Sequence, residues 1–395
     1  MSDAPQNLFP QPAEGGAPAA PRTGILPYQQ IRTMLREHEI FSLEGEIEPD
    51  QVQPASLDLR LGTTAYRVRA SFLPGRQTTV KERIAQLDGY AIDLGGGAVL
   101  EKGCVYVVPL MEQLALTGSS GLTGFANPKS STGRLDILTR LLCDRAEAFD
   151  QIERGYQGPL YIEIAPRTFS IVVRTGSRLN QVRFRRGSPG IAVTEIQRLH
   201  EEGQLVIAGD GSQVAERRNI REKLVGVTID LEGEGPGALI GYRAKKHTDR
   251  IDIDRIAAYE PLDFWEPLYF RRHPTIVLDP DEFYILVTRE AVRVPPDYAA
   301  EMVAYDTAVG EFRVHYAGFF DPGFGWDVAG GTCRAVLEVR SHEVPFMLEH
   351  GQTVGWLRYE RMMARPDRLY GSAIGSTYLN QGLALAKQFR LQARD

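Results

Sequence analysis

Seven consecutive residues, Pro128-Lys129-Ser130-Ser131-Thr132-Gly133-Arg134, set three hydroxyls between two cations. Serine hydroxyls and backbone N–H groups can cradle phosphate oxygens, while Lys129 and Arg134 neutralise their charge. The same run also reads as a solvated turn with a chance pair of cations, because short motifs match by accident. Two glutamates draw notice for another reason. Glu163 lies inside Leu160-Tyr161-Ile162-Glu163-Ile164, and Glu338 inside Arg334-Ala335-Val336-Leu337-Glu338-Val339. A carboxylate in an apolar strand is costly unless it is paired or working, although alternation can send it to solvent. Ahead of Glu338, His315-Tyr316-Ala317-Gly318-Phe319-Phe320-Asp321-Pro322-Gly323-Phe324-Gly325 carries an Asp-Pro-Gly turn between aromatic flanks. It reads as a β-hairpin arm, whose backbone near Ala317 can meet a planar base edge through hydrogen bonds. The stretch from Tyr370 to Gly382 is glycine-rich and polar, which suits a mobile lid over a ligand or a frayed tail.

The elements that must position these residues are short. The chain has 395 residues and 43% hydrophobic content, enough for one large or two ordinary domains. Its net charge of -6 excludes the basic field that nucleic-acid binders use, so an anionic ligand must be held locally. Three scattered cysteines, Cys104, Cys143 and Cys333, point to a reducing cytoplasm and neither to a disulfide framework nor to a metal knuckle. No apolar run suits a membrane span, and no signal-peptide pattern opens the chain. Residues 1–24, rich in Pro, Ala and Gly, read as a disordered tail. A short amphipathic helix is expected over Tyr28 to Glu37, with Ile31, Met34 and Leu35 on its apolar face. Leu57, Leu59 and Leu61 alternate with Asp58 and Arg60, the pattern of a half-buried strand. From Ala65 to Arg183, short apolar runs broken by Gly, Pro and Asp predict an all-β barrel or sandwich. A helix is expected over Thr194 to Glu202, with Thr194 as N-cap and Gly203 as stop, followed by a charged connector up to Lys223.

The second half repeats the first. Val227 to Gly233 echoes the strand around Asp58, the Glu338 run echoes the Glu163 run, and Gly351 to Trp356 echoes Gly176 to Gln181. Three echoes in one order and at nearly one spacing predict a duplicated domain. The expected units are a first domain over 25–190, a connector over 191–223 and a second domain over 224–395 with a C-terminal lid.

In this order and spacing the motifs resemble the dCTP deaminase branch of the dUTPase-like superfamily, in its long two-repeat form. The resemblance rests on Ser56-Leu57-Asp58-Leu59-Arg60-Leu61-Gly62, on Lys129 to Arg134, on Glu163 and Gln181, and on the arm from His315 to Phe324 with Glu338. The C-terminal Tyr-Gly…Gly-Ser-x-Tyr…Gln-Gly pattern adds to it. It implies a mostly β fold of two tandem β-clip (distorted barrel) domains with a few short helices. It further implies hydrolytic deamination of dCTP to dUTP and ammonia without zinc, and Mg²⁺ carried by the triphosphate. His200-Glu201-Glu202 satisfies H-x-E, but the sequence has no C-x-x-C with which to complete a zinc-deaminase site. A homo-oligomer, a trimer or a multiple of one, and dTTP as a feedback ligand belong to the same expectation; a nucleic-acid or membrane partner does not.

By resemblance, Ser130 positions the attacking water with Arg134 nearby, and a glutamate, Glu163 or Glu338, acts as the base. Lys129 and Ser131 hold phosphates, the backbone near Ala317 holds the exocyclic amine, and Asp321 in the arm contacts substrate. Gln181, Tyr370, Tyr378 and Gln381 contact or close over the triphosphate. Each copy departs from the family pattern. Lys129 stands where arginine is usual, and the second copy has Ala304-Tyr305-Asp306-Thr307-Ala308 in place of the cradle. The first copy has Phe149 to Gly158, which resembles the dUTPase arm. Ser130 therefore faces either Glu163 of a neighbouring first copy or Glu338 of a second copy. A dUTPase, a bifunctional enzyme and a non-catalytic nucleotide sensor are the competing functions.

Overall fold

The computed structural model describes residues 23–208, 220–270, 272–303, 312–314, 318–326, 333–341, 343–371 and 382–391. The expected tail up to residue 22 and the connector at 209–219 lie outside the described residues, as do Ala317, Tyr378 and Gln381. No described helix is long and apolar enough to cross a membrane.

The architecture is mostly β, in two units of one plan. In the first copy the strand Arg178–Arg186 is flanked by Leu57–Arg60 and Leu122–Pro128. A second sheet runs through Val105–Ala115, Gln157–Pro166 and Ile137–Cys143. In the second copy Thr353–Arg361 is flanked by Leu224–Thr228 and Tyr298–Val303. Phe283–Val292 pairs with Arg334–Ser341, as Val105–Ala115 pairs with Gln157–Pro166. The duplication reaches the buried polar groups as well. Glu112 accepts from the Arg60 amide and from its Nε at 2.7 Å each, while Glu290 accepts from the Thr228 amide at 2.7 Å and its hydroxyl at 2.6 Å.

Two local readings differ from the sequence pattern. Leu57–Arg60 is buried on both faces, because Asp58 pairs with Lys129 and Arg60 with Glu112; alternation alone does not reveal that both faces are covered. The connector helix spans Val193–Glu201 with Ala192 at its N-cap and no side-chain cap, so Thr194 lies inside the first turn. Gly203 does end it, in the left-handed region at φ 69°. The first helix, Tyr28–Arg36, buries Tyr28, Ile31 and Met34.

The copies share one core. Trp265 of the second copy is fully buried and packs edge-on against Phe169 of the first at 5.4 Å and against Phe389 of the C-terminal stretch at 6.0 Å. The strand Ile171–Val173 is paired on one side with Ala98–Leu100 and on the other with Ile251–Asp252 of the second copy. Residues 382–391 are part of this junction: the amides of Ala257 and Ala258 donate to the carbonyls of Lys387 and Gln388 at 3.0 and 2.9 Å. Replacing Trp265 with Ala removes the largest fully buried side chain at the junction. The expected cost is about 3–5 kcal/mol, read as a lower urea midpoint.

Candidate active site

The Lys129 to Arg134 run follows Leu122–Pro128 and closes into a single helical turn, Ser130–Gly133. Two bonds to one carbonyl pin that turn: the Lys129 amide and the Thr132 hydroxyl donate to Leu179 O at 2.9 and 2.8 Å. Asp136 ends it at φ 55°, with its amide donating to Gly133 O at 2.8 Å. Ser130 is left exposed and Ser131 half-buried, both facing a cavity of about 350 Å³.

That cavity lies between the copies of one chain. From the first come Lys129, Ser130, Ser131, Arg134, Gln181 and Asp58; from the second come Glu338, Asp321, Gly318, Phe319, Arg334 and Tyr370. Ala317, Tyr378 and Gln381 lie outside the described residues, but Gly318, which follows Ala317, and Gly382, which follows Gln381, line the cavity. Gln181 is held by Ser56, whose hydroxyl donates to Gln181 Oε1 at 3.0 Å. Lys129 is ion-paired with Asp58.

The two candidate glutamates have different surroundings. Glu338 projects from Arg334–Ser341 into the cavity and is 6% exposed. Burial pushes its carboxyl up to about 8; Arg134 opposes that rise and Asp136 adds to it. Glu163 does not line the cavity. It sits directly across from Arg140 in the sheet and accepts from Arg140 Nε at 2.9 Å and Nη2 at 2.5 Å, with the guanidinium stacked 3.8 Å over Phe149. Phe149, which opens the dUTPase-like segment up to Gly158, thus packs on the arginine that holds Glu163, and the segment supplies no side chain to the cavity. Asp150 within it accepts from the Leu141 amide at 2.7 Å, and burial raises its carboxyl to about 7.

Several residues at the site gave no usable signal in the sequence. Arg178 lines the cavity and makes a two-point ion pair with Asp50 at 2.9 and 3.0 Å, which holds the Asp50 carboxyl below its usual range. A register shift between Arg178 and Asn180 breaks the alternation that would have assigned its face. Lys387 comes from the C-terminal stretch; burial, with Lys129 nearby, draws its ammonium down. Arg134 donates to the carbonyl of Ala384 in the same stretch at 3.0 Å. Arg183 is buried in the first copy and reaches the arm of the second. It donates to Ala300 O at 3.2 Å and pairs with Asp321 at 3.1 Å, with its guanidinium 4.0 Å over the Phe319 ring. Asp321 is therefore an anchor of the arm as well as a wall of the cavity. The arm is also tied to the C-terminal segment, where the Tyr370 amide donates to Pro322 O at 2.8 Å and the Tyr370 ring lies 5.4 Å from Phe324.

Two family models match the chain. The N-terminal domain of 2'-deoxycytidine 5'-triphosphate deaminase matches residues 22–188, and its C-terminal domain matches residues 192–389. A crystal structure of 2'-deoxycytidine 5'-triphosphate deaminase from Agrobacterium tumefaciens is 56% identical, with a TM-score of 0.81, covering 88% of this chain and all of that one. A dUMP-forming dCTP deaminase of Beutenbergia cavernae is 35% identical over 109 residues, 27% of this chain and 53% of that protein. A dCTP deaminase of Natronomonas pharaonis is 30% identical over 166 residues, 40% of this chain and 79% of that protein. The chain thus spans about half the length of the Beutenbergia relative.

Removing Arg183 leaves the Asp321 carboxyl buried without its partner. Arg183→Met is expected to cost about 3 kcal/mol in urea unfolding, and Arg183→Met with Asp321→Asn to recover more than half of that loss.

Proposed function

The chain belongs to the 2'-deoxycytidine 5'-triphosphate deaminase family, and from that premise we propose that it converts dCTP and water to dUTP and ammonia in the cavity between its two copies. The observation that carries the reading is the meeting of Ser130 and Glu338 in one cavity, with cations on one side and the aromatic arm on the other.

The triphosphate lies on the Lys129–Ser131 turn, with Arg178 and Lys387 adding positive charge. Mg²⁺ would come bound to the triphosphate and would offset its charge there. Asp58, which lines the cavity beside Lys129, is the carboxylate that would meet its hydration shell. The cytosine ring enters against the arm, where main-chain groups beside Gly318 read its exocyclic amine and Phe319 excludes water.

Glu338, as carboxylate, takes a proton from a water held by Ser130, and the hydroxide forms a bond to C4. The proton passes through Glu338 to N3. Glu338 then takes the new hydroxyl proton and delivers it to the amine, so that the C4–N bond breaks, ammonia leaves and the C4 carbonyl of uracil remains. A carboxyl near 8 suits both directions of transfer. Arg134 stabilises the ionised form. No step calls for zinc. The Beutenbergia relative's name, dUMP-forming, gives a second reading in which dUTP is also hydrolysed; pyrophosphate release from dUTP is its readout.

Glu338→Gln is expected to lower kcat for ammonia release from dCTP by about 10²–10⁴-fold, while dCTP still raises the melting temperature. Glu163→Gln is expected to keep turnover within about threefold, because its loss falls on the Arg140 pair; a dead Glu163→Gln with an active Glu338→Gln would reverse the assignment.

The ionised fraction of Glu338 grows with pH. The expected kcat/KM therefore rises about tenfold per pH unit below pH 8 and levels off above it, a limb that stopped-flow or coupled ammonia assays resolve. A profile flat from pH 6 to 9 would count against a raised carboxyl as the base.

A further inference from the structure

Directly behind the reacting groups lies a second contact between the copies. Asp136 and Arg340 are 1% and 5% exposed and form an ion pair. The Thr168 hydroxyl joins them, donating to Asp136 Oδ2 at 2.5 Å and accepting from Arg340 Nη2 at 2.9 Å. Arg340 also donates to Asp281 O at 2.6 Å. Each partner stands two residues from a reacting group: Asp136 follows Arg134, and Arg340 follows Glu338 on the same face of its strand. Asp136 is itself fixed, by its left-handed backbone and by its carbonyl, which accepts from the Arg167 amide at 2.9 Å.

We propose that the Asp136–Arg340 pair is a positioning bridge that sets Glu338 at its working height against Ser130 across the boundary between the copies. The inference rests on Glu338 being the proton-transfer group. A buried pair contributes little net stability when compared with apolar packing, and its best-attested use is to fix register. Here the register is that of two sheets, one from each copy, and a misplacement on the order of 1 Å is enough to depress turnover about 10²-fold.

The bridge also holds a charge beside Glu338. The charges that act on that carboxyl are Arg134 and Asp136; Arg334 and Arg340 flank it on its own strand, and Asp321 and the Lys129–Asp58 pair line the same cavity. The neighbour directly across in the adjacent strand is the apolar Ile285. Neutralising Asp136 removes a negative charge and leaves Arg340 uncompensated, so Glu338 ionises at lower pH. Neutralising Arg340 removes a positive charge beside Asp136, so Glu338 ionises at higher pH. These opposite shifts show that the pair stands beside Glu338, and the positioning role is read from kcat falling at nearly constant KM and from rescue by Arg340→Lys.

The test compares Asp136→Asn, Arg340→Gln and Arg340→Lys in the full chain. Three quantities are read: kcat and KM for dCTP, the pH dependence of kcat/KM, and the Glu338 titration in the ligand-free protein by infrared difference against Glu338→Gln. The expected result is kcat lower by about tenfold for Asp136→Asn and Arg340→Gln, with KM within about twofold. The titration moves down in Asp136→Asn and up in Arg340→Gln, and Arg340→Lys retains most of kcat. An unmoved titration, or kcat and KM changing together in step with melting temperature, overturns the bridge. The infrared arm needs no turnover, so a chain inactive on dCTP would sink the proposed reaction while still testing the bridge. Should Asp136→Asn fail to fold, the two Arg340 variants carry the comparison.

Discussion

Trp265, wedged among Phe169, Phe283 and Phe389, fixes the geometry of everything described above. Those rings come from three distant stretches of sequence, and their burial makes one body of two β units. The cavity is a consequence of that packing, since its two walls belong to different copies. Polar cross-links then refine what apolar burial has brought together. Arg183 holds the arm, Arg174 holds Asp252 at 2.7 Å, and Arg340 holds Asp136. All three are arginines, whose planar forks keep direction where lysine would act as a point charge.

The chain is acidic overall, yet the cavity gathers Lys129, Arg134, Arg178 and Lys387 on one side. Asp58 and Asp50 restrain two of these cations, and main-chain carbonyls of the C-terminal stretch restrain a third. A polyanion entering such a site meets side chains already oriented, so less conformational freedom is lost on binding. The same cavity that gathers these cations holds Glu338, whose carboxyl is lifted by burial.

Much of this was legible in the residues themselves. Turn chemistry and alternation found the short strands, the echoes found the duplication, and hydroxyls between cations marked the Ser130 turn. The failures have a common cause, which is that the deciding partner lies far away in sequence. Glu163 and Glu338 occupy equivalent places in two strands, and only the cross-strand Arg140 separates the paired one from the one that faces the cavity. Asp58 reads as solvent-facing until Lys129 covers it. Arg183, Arg178 and Lys387 look like ordinary surface cations, because nothing within a few residues announces Asp321, Asp50 or the cavity floor. Lone charges in strands carry information only in pairs, and pairing is a property of the fold.

The joining of both half-sites in one chain also changes what each half is free to become. In a ring of identical subunits every surface residue is duplicated, so a change that improves one side of an interface is imposed on the other. Tethering makes the encounter of the halves intramolecular, with an effective concentration that dilution does not alter. It also breaks the symmetry. The first copy keeps the hydroxyl turn with its glutamate locked on Arg140, while the second keeps the unlocked glutamate and the aromatic arm. Each surface is then free to adapt to a single task.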